Sequence, residues 1–172
     1  GGGYATAGSF AGLDNPDSIA KVHLMRYDAN GDTLWTRDFG DSTHYWIGQQ
    51  VKQTADGGFL IVGYTNATGY EDGLAIKTDS LGNEQWRHTY GLGGTVIDGF
   101  ISSVELGNGY IITGISYPQM DNSEMFAVRV DTTGAAIWTR RWGGAFDDAA
   151  AYSYLCSDGD LLIASSIGYA ND

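Results

Sequence analysis

Short apolar runs alternate with polar, glycine-rich stretches along the whole chain. One kind of run is apolar throughout and follows a glycine, as in Gly58-Phe59-Leu60-Ile61-Val62-Gly63. An uninterrupted run of this length between glycines is typical of a β-strand that is buried on both faces. The pattern predicts four such strands, at Gly2–Gly8, Gly57–Gly63, Gly109–Gly114 and Asp160–Ser165.

Each run of this kind is followed by further short strands. In the second strand, apolar and polar residues alternate with the period of two that is expected of a strand with two different faces. This pattern covers Ala20–Tyr27, Gly73–Thr78 and Met125–Val130. A third strand runs through a tryptophan in each unit, and a fourth covers about Tyr45–Thr54, Phe100–Leu106 and Ala151–Cys156. The sequence thus predicts thirteen strands.

The turn before the third strand repeats the motif Asp-x-x-Gly-x-x-x-Trp, followed by an aromatic-Gly pair. Its aspartates are Asp28, Asp79 and Asp131, its glycines Gly31, Gly82 and Gly134, and its tryptophans Trp35, Trp86 and Trp138. Asp and Gly are suited to a tight turn, and the large Trp side chain is suited to packing against the next unit. Because the motif occurs in every unit, we interpret these residues as structural docking residues rather than catalytic ones.

Tryptophan spacings of 51 and 52 residues indicate repeated units of four short antiparallel strands. Stacked sheets of this size predict an all-β fold, a β-propeller of four-stranded antiparallel blades, with three blades and one strand of a fourth. The blade repeats are approximately 1–56, 57–108, 109–158 and a partial 159–172. Because the chain starts within the repeat, we expect it to be a segment of a longer propeller; association of several chains is the alternative.

Composition narrows the possible partners. The 9 Lys and Arg against 21 Asp and Glu give a formal net charge of −12, which disfavours binding to nucleic acid or to anionic membrane surfaces. No apolar run approaches the roughly 20 residues that span a bilayer, so membrane insertion is not expected. The single cysteine, Cys156, lies in a strand-like run, where we expect a buried small side chain rather than a nucleophile.

Candidate metal and catalytic groups are few. Asp28-x-Asn30-x-Asp32 has the spacing at the start of a calcium loop but lacks the following glycine and the distal glutamate, so a turn is expected. No zinc-type spacing joins the three histidines, His23, His44 and His88. The carboxylate pairs Asp147/Asp148 and Asp38/Asp41 suggest either glycoside hydrolysis or solvated acidic loops. We predict no catalytic residue, metal site or cofactor.

Arg26, Lys77 and Arg129 occupy one equivalent position in the three units. Either each forms a repeated ion pair between strands or each covers the next unit with its stem. The other hypothesis is a ring of positive charge that attracts anionic ligands.

The chain resembles the long-repeat β-propellers of secreted and cell-surface bacterial and archaeal proteins over essentially its whole length. Asp56-Gly57-Gly58-Phe59-Leu60-Ile61-Val62-Gly63 and the segment from Lys77 to Trp86 are similar to that family's pattern, and the Trp motifs are distantly similar to those of quinoprotein-like propellers. The resemblance implies a propeller but carries no cofactor site over. It implies secretion or display at the cell surface.

From this we expect a non-enzymatic scaffold, adhesion or binding module. Its partners would be other blades or domains of a longer parent protein, or a surface assembly. The variable loops after the buried strands would form the recognition rim, with Tyr64, Tyr70 and Tyr117. The alternative is a quinoprotein-like or carbohydrate-active enzyme with its site on the propeller axis.

Overall fold

The computed structural model describes residues 2–10, 19–93, 97–119, 122–144 and 146–168, and all regular structure in them is β. The thirteen strands are β1 (Tyr4–Phe10), β2 (Lys21–Tyr27), β3 (Thr33–Phe39), β4 (Trp46–Gln53), β5 (Phe59–Thr65), β6 (Asp72–Thr78), β7 (Glu84–Tyr90), β8 (Ile97–Leu106), β9 (Gly109–Gln119), β10 (Asn122–Val130), β11 (Ala136–Trp142), β12 (Asp148–Leu155) and β13 (Leu161–Ile167). The all-β prediction is confirmed. The described residues contain no helix that is long and apolar enough to cross a membrane.

The strands form four antiparallel sheets, each made of strands that follow one another in the chain. Sheet 1 is β1-β2-β3, sheet 2 is β4-β5-β6-β7, sheet 3 is β8-β9-β10-β11 and sheet 4 is β12-β13. Contacts join β4 to sheet 1, β8 to sheet 2 and β12 to sheet 3. The sheets are therefore stacked in chain order, and the first strand of each sheet packs on the sheet before it.

The sheets are offset by one strand from the repeats in the sequence. The repeat 1–56 groups β4 with β1–β3, but β4 pairs with β5, where Gln53 lies opposite Phe59. The reason is the tight turn between them, in which the Thr54 N–H donates to the Gly58 carbonyl at 3.0 Å and the Gly57 N–H donates to the Thr54 carbonyl at 2.8 Å. The sheets consequently have three, four, four and two strands, a grouping different from three complete units and one extra strand.

Two apolar clusters fill the space between neighbouring sheets. Between sheets 1 and 2 lie Val22, Leu24, Phe39, Trp46, Phe59, Ile61, Leu74 and Ile76. Between sheets 2 and 3 lie Leu60, Val62, Ala75, Tyr90, Phe100, Tyr110, Ile112, Phe126, Val128 and Val130. Alternate residues of β5 thus enter opposite clusters, as the period of a strand requires. At about 1.5–3 kcal/mol for each large side chain removed from water, these clusters hold the stack together.

Burial on both faces is confirmed for β5 and for the segment 110–113 of β9, which are buried almost throughout. The prediction is wrong for the other two copies, because only one face of sheet 1 and one face of sheet 4 meets another sheet. Tyr4 in β1 is 63% exposed and Leu162 in β13 is 59% exposed.

The variable loops after the buried strands are predicted from the sequence at Ser9–Ser18, Tyr64–Asp72 and Ile115–Glu124, and these stretches are only partly loops. Between β5 and β6 the connection is confined to residues 66–71. The stretch Ile115–Glu124 is mostly strand, because Ser116 pairs with Asp98 on one side and with Glu124 on the other. The first of the three loops lies largely outside the described residues, which leave out 11–18.

Candidate functional site

Each Asp-x-x-Gly turn is held by its own aspartate. The Asp79 carboxylate accepts hydrogen bonds from the N–H groups of Leu81 at 2.8 Å and Asn83 at 2.9 Å, and Gly82 has a φ of 79°. These hydrogen bonds, with that from the Asn83 amide, lower the pKa of Asp79. In the first turn, Asp28 accepts from the N–H groups of Asn30 and Asp32. In the third turn, Asp131 accepts from the N–H groups of Thr133 and Ala135.

The first turn, which has the partial calcium-loop spacing, shows the same use of its aspartate. Asp28 Oδ1 accepts from the backbone of Asn30 at 2.8 Å and of Asp32 at 3.0 Å, so it closes the turn. Within the described ranges, no group of three or more His, Cys, Asp or Glu side chains could hold a metal ion.

The tryptophan of each motif lies against the turn of the following sheet. Trp86 in β7 donates its indole N–H to the Thr132 carbonyl at 3.0 Å, and a Cβ on Gly134 would lie 2.9 Å from the Trp86 ring. The Tyr90 hydroxyl donates to the Gly134 carbonyl at 2.7 Å. The edge strand β7 of sheet 2 therefore binds the β10–β11 turn of sheet 3.

The packing of a tryptophan ring on the next turn also joins sheets 1 and 2, but the third tryptophan does not repeat it. A Cβ on Gly82 would lie 2.8 Å from the Trp35 ring, whereas one on Gly31 would meet nothing within 4 Å. Trp138 is half-buried, with the Arg140 guanidinium 6.0 Å from its ring centre. In the described part of the chain no residue accepts a hydrogen bond from its indole.

The three equivalent cations all bind backbone carbonyls at the ends of their strands β2, β6 and β10. Lys77 Nζ donates to the Thr78 carbonyl at 2.8 Å, and Arg26 and Arg129 donate to the carbonyl of the residue that follows each of them. Arg26 also binds the Tyr4 carbonyl at 2.9 Å. The carbonyls lie beside a β-bulge that recurs at this point in the three sheets.

A glycine makes room for each cation. A Cβ on Gly3, Gly58 or Gly109 would overlap this carbonyl and approach the cationic nitrogen. Lys77 is 2% exposed and Arg129 is 7% exposed, so neither charge is presented to a ligand in solution. The geometry favours the repeated structural contact over the ring of positive charge.

The other chemical candidates from the sequence are separated and locally engaged. Asp147 accepts from the Ser123 N–H at 2.8 Å, and the buried Asp148 accepts from the Gly144 N–H at 2.7 Å. The remaining pairs are Asp41 with His44, Asp38 with His23, and His88 with the Thr133 carbonyl. Cys156 is half-buried rather than buried and begins the turn after β12.

A small pocket opens between sheets 2 and 3, at the end of the stack opposite the Asp-x-x-Gly turns. We call it the rim pocket; its volume is about 170 Å³. Its lining is mostly apolar and aromatic, with two acids: Gln49, Tyr64, Glu71, Ile97, Asp98, Gly99, Phe100, Ile101, Ile115 and Tyr117. The predicted recognition tyrosines Tyr64 and Tyr117 both line it, and Tyr70, which is 50% exposed, does not.

Glu71 is fixed at the edge of the rim pocket. Its carboxylate accepts a hydrogen bond from the Tyr45 hydroxyl, and its backbone carbonyl accepts from the Asp98 N–H at 2.8 Å. The Tyr45 ring packs edge-on against Tyr64 with ring centres 6.2 Å apart. Burial and the neighbouring Glu71 raise the pKa of Tyr45, so its hydroxyl stays a donor at neutral pH.

Asp98 is the most buried acid of the rim pocket, with 0% exposure. One carboxylate oxygen accepts from the Leu92 N–H at 2.9 Å, and the other has no hydrogen-bond partner among the described residues. Burial raises the pKa of Asp98, while the neighbouring Ser116 hydroxyl, the Leu92 N–H and the charge of Arg141 act in the opposite direction. An incompletely bonded carboxylate in this position is costly unless something else meets it.

Neither acid was identified as a site residue from the sequence, because Glu71 falls in a variable loop and Asp98 just before a predicted strand. The sequence does contain a weak signal for Asp98, namely an acid at the equivalent position of another unit. The register places Asp148 of sheet 4 at the position of Asp98, and both bind the N–H of the residue after an aromatic-Gly pair.

A second, larger cleft of about 590 Å³ lies between the same sheets at the end that carries the Asp-x-x-Gly turns. We call it the turn cleft; it is lined by Ala55, Asp56, Lys77, Gln85, Trp86, Glu105, Tyr110, Thr132 and Thr133. Its charged groups are occupied: Lys77 binds Asp56 at 2.8 Å, and Glu105 accepts from the Ala55 N–H at 2.9 Å. These groups bind within the chain, so the rim pocket is the better candidate site.

Comparison of the sequence with protein-family models and with curated proteins finds no match.

Proposed function

We propose that the chain is part of a β-propeller and serves as a non-enzymatic binding module of a secreted or cell-surface protein, with the rim pocket as its ligand site. The observation that carries this proposal is the rim pocket, where an aromatic and apolar lining meets two acids between two rigid sheets. Concave apolar sites with a few polar groups are the usual form of a binding site.

The propeller part of the proposal rests on how the sheets are joined. Each of the first two tryptophan contacts ties the outer strand of one sheet to a turn of the next sheet. A contact that repeats in this way joins each sheet to the next one, and propellers are built from sheets that are stacked in this manner. Further blades or domains of a longer parent protein, or of a surface assembly, would be the partners of this segment.

The binding part rests on how the polar groups are used. Repeated polar residues bind backbone groups in their own or the next sheet, as Lys77 and Trp86 do. In contrast, Tyr64 and Tyr117 line the rim pocket beside connections that differ between the units. Loops carried on a rigid scaffold commonly hold recognition residues.

The experiment is a fragment screen by NMR on the 172-residue chain, with signals assigned for Tyr64, Ile97 and Tyr117. We expect fragments that bind to shift these signals. Tyr117→Ala should weaken their binding about tenfold by removing one aromatic wall of the pocket. Tyr70→Ala is the matched control, since Tyr70 is exposed nearby and does not line the pocket. Fragment binding that maps elsewhere, or that Tyr117→Ala leaves unchanged, would refute the proposal.

A further inference from the structure

We propose that the rim pocket binds an alkylammonium group, either the side chain of a lysine on a partner protein or a free primary amine. This inference rests on the proposed function of the pocket and adds the chemical class of its ligand. It begins from the size of the pocket: about 170 Å³ is below the roughly 300 Å³ at which pockets for drug-sized ligands begin. A single side chain or a small molecule is the appropriate occupant.

The charges that line the pocket are both negative. Glu71 and Asp98 are its acids, and no Lys, Arg or His is among the described residues that line it. The formal net charge of −12 adds a general attraction for cations. An anionic ligand would be repelled by both acids, and a neutral ligand would leave their negative charge unbalanced.

Asp98 supplies the most direct indication. It is fully buried. The Ser116 hydroxyl lies beside it and lowers its pKa, but neither that hydroxyl nor the second carboxylate oxygen of Asp98 is in hydrogen-bond geometry with a described residue. The nearby Arg141 influences Asp98 by charge, but its guanidinium binds the Glu124 carboxylate at 2.5 Å. Arg87 is likewise engaged, with Glu84 and over the Trp46 ring. An ammonium group in the pocket would supply the donors that Asp98 does not receive from the chain.

The aromatic lining suits the rest of such a ligand. Tyr64, Phe100 and Tyr117 line the pocket, and aromatic rings attract cations. The apolar side chains Ile97 and Ile115 would contact the methylene groups of the alkyl stem. A short alkyl chain with one positive end therefore matches both halves of the lining.

The test compares charged ligands with neutral ones of the same shape by NMR titration at low and high salt. The probes are n-butylammonium and Nα-acetyl-lysine methylamide, with n-butanol and Nα-acetyl-norleucine methylamide as the neutral partners. We expect each ammonium probe that binds to do so at least about tenfold more tightly than its neutral partner, and less tightly as salt rises. Binding of both supports a site for free amines, and binding of the lysine derivative alone supports a site for a partner's side chain.

Glu71→Gln and Asp98→Asn should each weaken binding of the ammonium probe about tenfold. Asp32→Asn is the control of equal charge, because Asp32 lies in a turn at the opposite end of the sheets. Thermal unfolding verifies that each variant is folded. Neutral probes that bind as tightly as the ammonium probes, or ammonium probes that do not bind, would overturn this inference. The fragment screen decides separately whether the pocket binds ligands at all.

Discussion

Replacing Lys77 by methionine tests the structural role of the repeated cation. The Lys77 ammonium is 2% exposed and donates to Asp56 at 2.8 Å, to the Thr78 carbonyl at 2.8 Å and to Gln85 at 3.1 Å. Methionine keeps most of the stem and removes these donors. The Thr78 carbonyl and the Gln85 amide oxygen each lose a partner, at about 1–3 kcal/mol for a group left unsatisfied.

Two effects offset part of this loss. The variant avoids the desolvation cost of burying the Lys77 ammonium, and the carboxylate of Asp56, which is 54% exposed, can be solvated by water. We expect a net loss of about 3 kcal/mol in the free energy of unfolding, measured by urea denaturation with tryptophan fluorescence. For a chain of this length that corresponds to a fall in Tm of about 6–12 °C.

Lys21→Met is the matched control, because it removes the same charge from β2 at a half-buried position whose ammonium forms no hydrogen bond in the described part of the chain. It should change the free energy of unfolding by no more than about 0.5 kcal/mol. Phosphate titration of the wild type and of Lys77→Met gives the second readout. A Lys77→Met variant as stable as Lys21→Met, and with weaker phosphate binding than the wild type, would refute the structural role in favour of the charge ring.

Two further predictions concern the contacts between sheets and the response to acid. Trp86→Phe should cost about 1–2 kcal/mol in urea denaturation because it removes the hydrogen bond to Thr132, whereas Trp138→Phe should cost less, and equal losses would contradict this assignment. Because Lys77 lowers the pKa of Asp56 from 3.8 to about 2, ionised Asp56 stabilises the fold above pH about 4 and this contribution disappears as the pH falls to about 2. After solvent screening we expect about 1 kcal/mol, and Asp56→Asn should abolish this part of the pH dependence of unfolding.

The sequence predicted the strands well because each has its own local signal. Alternation in segments such as 73–78 and the glycines that flank Phe59–Val62 indicate strands without reference to the rest of the chain. The grouping of strands into sheets has no such signal, since a repeat can be divided at any point of its period. The structure assigns β4 to sheet 2 because the turn at 54–58 closes a hairpin with β5.

The site was harder to predict than the strands. Tyr64 and Tyr117 were expected at a recognition rim, and the structure brings them into one pocket. Glu71 and Asp98 were missed because the pocket forms between two sheets, from residues that are far apart in the chain. Their relation depends on the Asp98 N–H bond to the Glu71 carbonyl, and local sequence carries no information about such a contact.

The comparison of equivalent positions explains why the rim pocket occurs between sheets 2 and 3. The register places Trp46 of sheet 2 where Asp98 stands in sheet 3, and Gly48 where Phe100 stands. Between sheets 1 and 2 this region is filled by the Trp46 side chain, which packs in the apolar cluster. Residues that are the same in every unit are needed to hold the sheets together, so recognition has to use positions at which the units differ. Asp148 of sheet 4 repeats Asp98, but the described residues at the contact of sheets 1 and 2 include no such acid, and this difference is the physical reason to look for the ligand at the rim pocket rather than at the repeated Asp-x-x-Gly turns.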